Sequence, residues 1–392
     1  MPKPPFPMVD GGVVAMNNHL ALWQKSGFNI HTFFLYTPKH PYIPSTFPST
    51  WKKNENIFPQ FVDTNFSPLH IFTILFSSQS YQASRFYSKN AVQELKKIIR
   101  QNTYKYIVLD GLFSGVFLND IRKITSATII LRAHNVEYMI WEALRLKIKS
   151  SLKKHLLLRE TEKLKRWEQG IYSSVDGIIS ITPDDAQIIR KTAATQKITT
   201  IPLLIEHTET PRSKPAHPFR LFHLGAMDWL PNIEGINWFL ADVFPTVHTL
   251  FPDITFHFAG KSMPDSYQQY QSNGIFCYGE VPDAKSFMNN YDILIVPLHH
   301  ASGLRIKILE AMAMGIPVIC TTKAAQGIPC MPGIDILLAE TVDSFCDAIR
   351  RLHSEESLYN KLSTNGIMCI QQHFSMEFGK NSLQDFLESF EK

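Results

Sequence analysis

No apolar run in this chain approaches the roughly 20 residues a helix needs to cross a bilayer. The longest candidate, Pro68 to Phe76, stops well short. The N-terminus has no basic stretch leading into an apolar one, so no secretory signal is expected. Cysteine is scarce: there are five, Cys277, Cys320, Cys330, Cys346 and Cys369, and no two form a C-x-x-C pair. An odd count without metal spacing argues against a disulfide scaffold and for reduced thiols in a cytosolic protein, each a small buried hydrophobe. Net charge is only +4, which argues against the chain as a whole being a nucleic-acid binder. Internal repeats and low-complexity tracts are also missing.

What is present is a globular composition, 44% apolar and 19% charged over 392 residues, long enough for two cores. Short β-branched runs alternate with helical patterns, which predicts parallel sheets wrapped by helices. In the first half the strands are Asn29 to Tyr36, Tyr106 to Asp110, Ala127 to Arg132 and Gly177 to Ile181. Helices are expected over Ser88 to Gln101 and Ile140 to Gln169, and Thr182 with Pro183 reads as a helix start. The proline-rich stretch Ile201 to Pro218 is the best linker candidate. Beyond it the alternation restarts, with strands expected at 219–224, 254–258, 274–278, 293–296, 318–321 and 334–338, and helices at 232–249, 344–352 and 378–390. These runs suggest two doubly wound α/β domains with a ligand cleft between them at the carboxyl ends of the strands. One strand is missing from the pattern. Gly11 and Gly12 run into a helix, and a glycine turn entering a helix normally follows a strand, but only prolines precede it. A late start or a truncated gene would explain this; otherwise the sheet begins at Asn29.

The segment from Pro297 to Gly315 carries the strongest chemical signal. A strand ends, a small-residue loop with Ser302, Gly303 and Leu304 follows, and a helix opens. Free N–H groups at a helix start bind anions. Arg305 and Lys307 add positive charge there, and Glu310, a little over one turn on, can accept hydrogen bonds from ribose hydroxyls. The bland alternative is an ordinary capped helix with two surface cations; the order of loop, charges and acid favours a nucleotide. Gly225 leaves the first strand of the second half in a similar turn, where Asp228 or Asn232 can cap the next helix. Lys261 ends the second strand, and Gly279, Glu280 and Val281 end the third. His134 follows a strand of the first half, where α/β sheets place ligands, though a lone histidine is as often structural. The helix from Arg145 to Arg166 is basic and amphipathic; it can lie on an anionic membrane or cover a core stripe.

At these residues the chain resembles family 4 of the retaining glycosyltransferases, which has the GT-B fold. The likeness spans nearly the whole length and includes the Asp10-Gly11-Gly12 turn, the Ser80 to Ser88 segment, Arg132 to Glu137, Gly225 to Asn232, Gly279 to Val281 and, most specifically, Ser302 to Gly315. It is similar to bacterial members that assemble polysaccharides or glycans. The resemblance implies an acceptor-side domain over residues 1–203, a donor domain over 204–375, and a helix over 376–392 that crosses back. It implies transfer of a sugar from a nucleoside diphosphate to a glycan or lipid-linked acceptor, with retention, in the cytoplasm or on the inner face of the membrane. His134 would meet the reacting sugar, Arg305 and Lys307 the leaving diphosphate, Glu310 the ribose, Gly279 to Val281 the base, and Gly12 the donor phosphates and acceptor. There is no D-x-D pair, so neither a metal nor a cofactor is called for. Two positions depart from the family: Ser302 stands where the first of two glutamates often lies, and Met227 and Asp228 stand where an arginine and a lysine are common. A non-catalytic nucleotide-binding scaffold and a GT-B epimerase or phosphorylase are the alternatives.

Overall fold

The computed structural model describes residues 1–7, 11–52, 56–65, 79–147, 150–193, 196–271, 274–300 and 303–391. Asp10, Ser302 and the apolar run 68–76 lie outside these. The chain divides into two compact units, Met1–Leu203 with Gly379–Lys392, and Leu204–Phe378.

The first unit opens with α1 (Gly11–Lys25), β1 (Thr32–Tyr36) and β2 (Ile57–Phe61). It continues with α2 (Lys89–Gln101), β3 (Tyr106–Asp110), β4 (Thr128–Ala133), α3 (Glu137–Lys147), α4 (Ser151–Ser174), β5 (Gly177–Ser180), α5 (Pro183–Arg190) and β6 (Lys197–Thr200). β1 pairs with β2, and β3-β4-β5-β6 form a second sheet; every pairing is parallel. The caps are written in the sequence. The Ser88 hydroxyl accepts the Ala91 N–H, and Thr182 accepts that of Asp185 with Pro183 in the first turn. Four buried residues make up β5, as expected of a parallel strand covered on both faces.

The long helix expected over 140–169 is two helices. Ser150, with ψ 121°, is extended and ends any continuous ladder there. The start of α3 is held by α4: the Glu168 carboxylate accepts the N–H groups of Glu137 and Tyr138, both at 2.9 Å. Of the basic residues expected on one face, the side chains of Lys147, Lys149 and Lys153 lie outside the described residues.

The second unit holds β7 (Arg220–Leu224), α6 (Leu230–Trp238), α7 (Phe244–Leu250), β8 (Thr255–Ala259), β9 (Ile275–Cys277) and β10 (Ile293–Val296). It continues with α8 (Ile306–Ala313), β11 (Val318–Cys320), β12 (Leu337–Leu338), α9 (Val342–Ser354) and α10 (Glu356–Phe374). The sheet is parallel, in the order β12-β11-β10-β7-β8-β9. The chain winds outward from β7 through β8 and β9, then returns to β10 and winds the other way. This doubly wound order has its switch point between β7 and β10. The single helix expected over 232–249 is split: a π-turn over Phe239–Val243 separates α6 from α7, whose second residue is Pro245, which cannot continue an α ladder. Phe239, Phe244, Phe256 and Phe258 are fully buried in this core.

Residues 204–218 lack regular structure but are not a free linker. Arg212 donates to the carbonyls of Met314 and Tyr291, both at 3.0 Å, and to the Asn289 side chain at 2.8 Å. The last helix, α11 (Met376–Glu388), starts in the second unit and packs its end on the first. Gly177 makes room for it, since a Cβ there would lie 2.5 Å from the Phe390 ring and 2.7 Å from that of Phe386.

Candidate functional site

The carboxyl ends of β7, β8 and β9 meet in three glycines. The Gly225 N–H donates to Ala259 at 3.0 Å, and the Gly260 N–H to Gly279 at 2.7 Å. These loops are as close as backbone allows. A Cβ on Gly260 would sit 1.8 Å from the Gly225 oxygen, and one on Gly225 would sit 2.6 Å from the Lys307 ammonium. Gly279 (φ 68°) and Gly303 (φ 75°) take left-handed backbone that other residues resist.

Lys307, in the first turn of α8, is the centre of the arrangement. Its ammonium lies 3.0 Å from the Asn232 side-chain oxygen and 3.1 Å from Nε2 of His223. His223 is completely buried on β7, and its Nδ1 bonds the Ile295 carbonyl on β10 at 2.8 Å. Burial, with the charge of Lys307 beside it, holds the His223 imidazole well below its ordinary pKa. A neutral ring with its proton on Nδ1 presents a lone pair to Lys307. Lys307 is itself lowered to about 7, chiefly by burial and secondly by Arg305. A lysine whose ammonium is weakened by burial, without a carboxylate partner among the described residues, takes up a proton when an anion binds beside it. It does so at the switch point, where β7 and β10 diverge.

The other expected residues are placed differently. Arg305 is 5% exposed and spends its donors on carbonyls: Ala324 and Lys323 at 2.7 Å, Gln326 at 2.8 Å, and Gly303. It pins the loop before α8 to the turn at 322–326, so its role here is to shape the loop. Asn232 does not cap α6, which starts at Leu230 with Trp229 as its cap residue. It donates instead to the Ala226 carbonyl at 2.8 Å while accepting from Lys307. Among the described residues α8 has no side-chain cap, and its Ile308 N–H donates to the Arg305 carbonyl at 2.9 Å. Burial raises the Glu310 carboxyl, with Lys285 and Asp283 as the charges acting on it, which puts Glu310 on the side of the loop after β9. Glu280 and Lys261 are exposed, and Val281 and Leu304 pack on the core beneath.

Residues 218–355 match the family model described as Glycosyl transferases group 1. The matched segment contains the whole switch-point arrangement just described. The fold of the chain is GT-B. A sucrose-phosphate synthase from Thermosynechococcus elongatus superimposes with a TM-score of 0.65 at 15% identity, over 97% of this chain and 94% of its own. The Anabaena protein Alr3699/HepE in complex with UDP-glucose does so with a TM-score of 0.61 at 12% identity, over 99% and 98%. In sequence the chain is 22% identical to an uncharacterized 44.6 kDa protein in the cps region of Klebsiella pneumoniae, over 71% of this chain and 73% of that one.

The first unit has a cluster of its own. Nε2 of His134, just past β4, lies 2.6 Å from the Asp110 carboxylate at the end of β3. His19 on α1 reaches the same carboxylate at 3.4 Å, and the buried Arg132 lies 3.7 Å from it. Burial alone would raise Asp110; the hydrogen bonds from His134 and His19 and the charge of Arg132 outweigh it and hold the carboxyl well below its usual range. His19 is lowered to about 4, mainly by burial, and accepts from the Trp23 indole at 2.9 Å. Gly12 belongs to α1, so the expected glycine turn is the first turn of a helix among the described residues.

Asp110, His19, His223 and Asn232 were not singled out from the sequence as site residues. The available signal was slight: a polar residue in or ending an apolar run just before a glycine, as in Asp110 before Gly111 and His223 two before Gly225. Among the described residues no group of three or more His, Cys, Asp or Glu side chains is arranged to hold a metal ion, and no helix is long and apolar enough to cross a membrane.

Proposed function

We propose that this chain transfers a sugar from a nucleoside-diphosphate donor to a glycan or lipid-linked acceptor with retention of anomeric configuration. The observation that carries the reading is the Lys307 ammonium, held between a neutral histidine and an asparagine at the switch point, next to an uncapped helix start. Breaking a glycosyl–phosphate bond leaves negative charge on the diphosphate, and prearranged dipoles and a cation at that point stabilise it. Lys307 and the positive end of α8 supply that field, Arg305 shapes the loop, Glu310 holds the ribose, and residues 279–281 border the base. Protein charge takes the place of a metal ion. We assign to His134, oriented by Asp110, a hydrogen bond to the transferred sugar.

The HepE complex with UDP-glucose supports a nucleotide-sugar donor, and the relative from a cps region supports glycan assembly. Residues 1–203 take the acceptor role and 204–375 the donor role. The α3–α4 pair exposes Met139, Ile140, Leu144 and Leu156 near basic side chains, which suits contact with an anionic membrane surface from the cytoplasm.

The test is donor consumption by the purified chain with UDP-, GDP- and dTDP-sugars, in the presence of chelator, with the product anomer read by NMR. Glu310→Ala and Lys307→Ala are expected to lose most donor binding or turnover. Activity like that of the native chain in both variants would remove this site assignment. Binding of nucleoside diphosphate with no donor consumed would favour a scaffold, and a changed sugar without acceptor an epimerase.

A further inference from the structure

Arg85, in the first unit, is held in place by packing and left without an acid to match it. It follows the short helical turn Tyr81–Ser84, ahead of α2. The side chain is half-buried. Its Nε is shut off from solvent without a hydrogen-bond partner, and no carboxylate among the described residues pairs with the guanidinium. Burial works against its charge, and the only group offsetting this is Tyr81. Two other buried arginines are matched. Arg132 meets Asp110 and the Ala15 carbonyl, and Arg305 meets the carbonyls already described. Ser80 Oγ, in the same turn as Arg85, is also buried without a partner.

The packing accounts for where Arg85 sits and leaves its donors unused. Its Cζ lies 5.0 Å from the centroid of the Phe86 ring. Phe86 stacks on Phe113 at 5.1 Å and 23°, and Phe113 on Trp167 at 6.3 Å and 11°. A ring takes the face of a guanidinium, whereas the N–H donors point outward in its plane, beyond the reach of that ring. The column of rings ends at the histidine cluster. Phe113 comes three residues after Asp110, which holds His134. Trp167 precedes Glu168, which holds the N–H groups of Glu137 and Tyr138 just beyond His134. Stacked rings therefore tie Arg85 to the carboxyl ends of β3 and β4, the end where open α/β sheets bind ligands.

We propose that Arg85 is an oxyanion-binding residue of the acceptor side: its outward N–H groups grip, in a two-pronged contact, a phosphate or carboxylate group carried by the acceptor. This rests on the reading of residues 1–203 as the acceptor side. It narrows the acceptor to an anionic one, either a sugar on a phosphorylated carrier or a chain that contains acidic sugars. Arginine is suited to both, because its planar fork matches the paired oxygens of either group. A neutral acceptor would leave the guanidinium unmatched.

The full chain is titrated with inorganic diphosphate, methyl phosphate and glucuronate, each in the presence of excess UDP to occupy the donor site. UDP binding tests the donor site, and the comparison among Arg85 variants tests this one, so each can fail alone. At least one oxyanion is expected to bind the native chain and to shift the Arg85 guanidinium resonances. Arg85→Gln is expected to bind it at least roughly tenfold more weakly. Arg85→Lys should recover part of that loss, because it keeps the charge and loses the fork. Arg100→Gln removes the same charge from the exposed end of α2 and should bind like the native chain. A preference for the phosphates supports the proposal with a phosphorylated acceptor, and a preference for glucuronate supports it with an acidic sugar. Three results would overturn it: no binding of any of the three probes, binding to Arg85→Gln within roughly threefold of native, or an equal loss in Arg100→Gln. If Arg85→Gln does not fold, the native resonances decide, and guanidinium signals that stay still while an oxyanion binds would overturn it too.

Discussion

Replacing Lys307 with methionine tests the centre of the donor site, because it keeps the length of the side chain and removes the charge. In the free protein the ammonium is lowered from 10.5 to about 7 by burial and Arg305. A diphosphate that restored the ordinary value would gain up to about 5 kcal/mol from this one group. The side chain is half-buried, and the water that reaches it screens part of the field, which brings the expected contribution to about 2–3 kcal/mol. Lys307→Met should therefore weaken UDP binding by roughly 30- to 150-fold in calorimetry. The pH dependence has a definite sign. Above pH 7 the free protein has largely lost this proton while the complex retains it, so binding takes up a proton. Affinity then falls as pH rises from 7 towards 9, by up to about tenfold per unit, and the methionine variant is flat. Without ligand the relation reverses. Between about 7 and 10.5 the unfolded chain holds the proton and the folded one does not, so the native chain gains stability as pH rises through that window. At pH 7 the methionine variant should melt no lower than the native chain, since a poorly compensated charge has been removed. Binding within roughly threefold of native, or an unchanged pH slope, would refute a phosphate contact at Lys307.

Asp110→Asn leaves the buried Arg132 without its acidic partner and is expected to cost about 3 kcal/mol, or roughly 10 °C in Tm, and to lower turnover. The native carboxylate contributes stability above the ordinary carboxylate range and loses it as pH falls through its depressed value, so the difference between the two proteins should shrink in acid; a constant difference would contradict the ion-pair account. Gly260→Ala forces a Cβ to 1.8 Å from the Gly225 oxygen and is expected to lose about 3 kcal/mol or more, with UDP binding lost, whereas Gly170→Ala, where a Cβ meets nothing, should be neutral or slightly stabilising by thermal melt. Gly177→Ala pushes on the Phe390 ring and should lower Tm. Adding Phe390→Ala should recover part of that loss, and strict additivity of the two changes would count against this packing.

The α/β class, the order of most elements and the cap residues were legible in the sequence, because period, β-branched runs and side-chain caps act locally. Thr182 caps the helix it was expected to start, Ser88 caps the helix it was expected to begin, and the loop ahead of Lys307 opens a helix as its composition demands. The sequence also singled out Lys307 and Glu310, since a loop, cations and an acid in that order are a local pattern.

Helix interruptions were harder to read: an apolar stripe with period 3.6 runs straight across Ser150, and across the π-turn before Pro245. What each charged group does was decided only by tertiary contacts. Arg305 and Lys307 are two residues apart and equally basic on paper. One meets three carbonyls of a neighbouring turn and one of its own loop, and the other meets His223 and Asn232, which lie about 80 positions earlier. Asp110 gained its importance the same way, by bringing His19, His134 and Arg132 to one carboxylate. Local sequence sets which backbone forms and where charge is available. Which charge is matched, buried or left waiting for an anion depends on strands brought together across the sheet, and no short-range pattern carries that information.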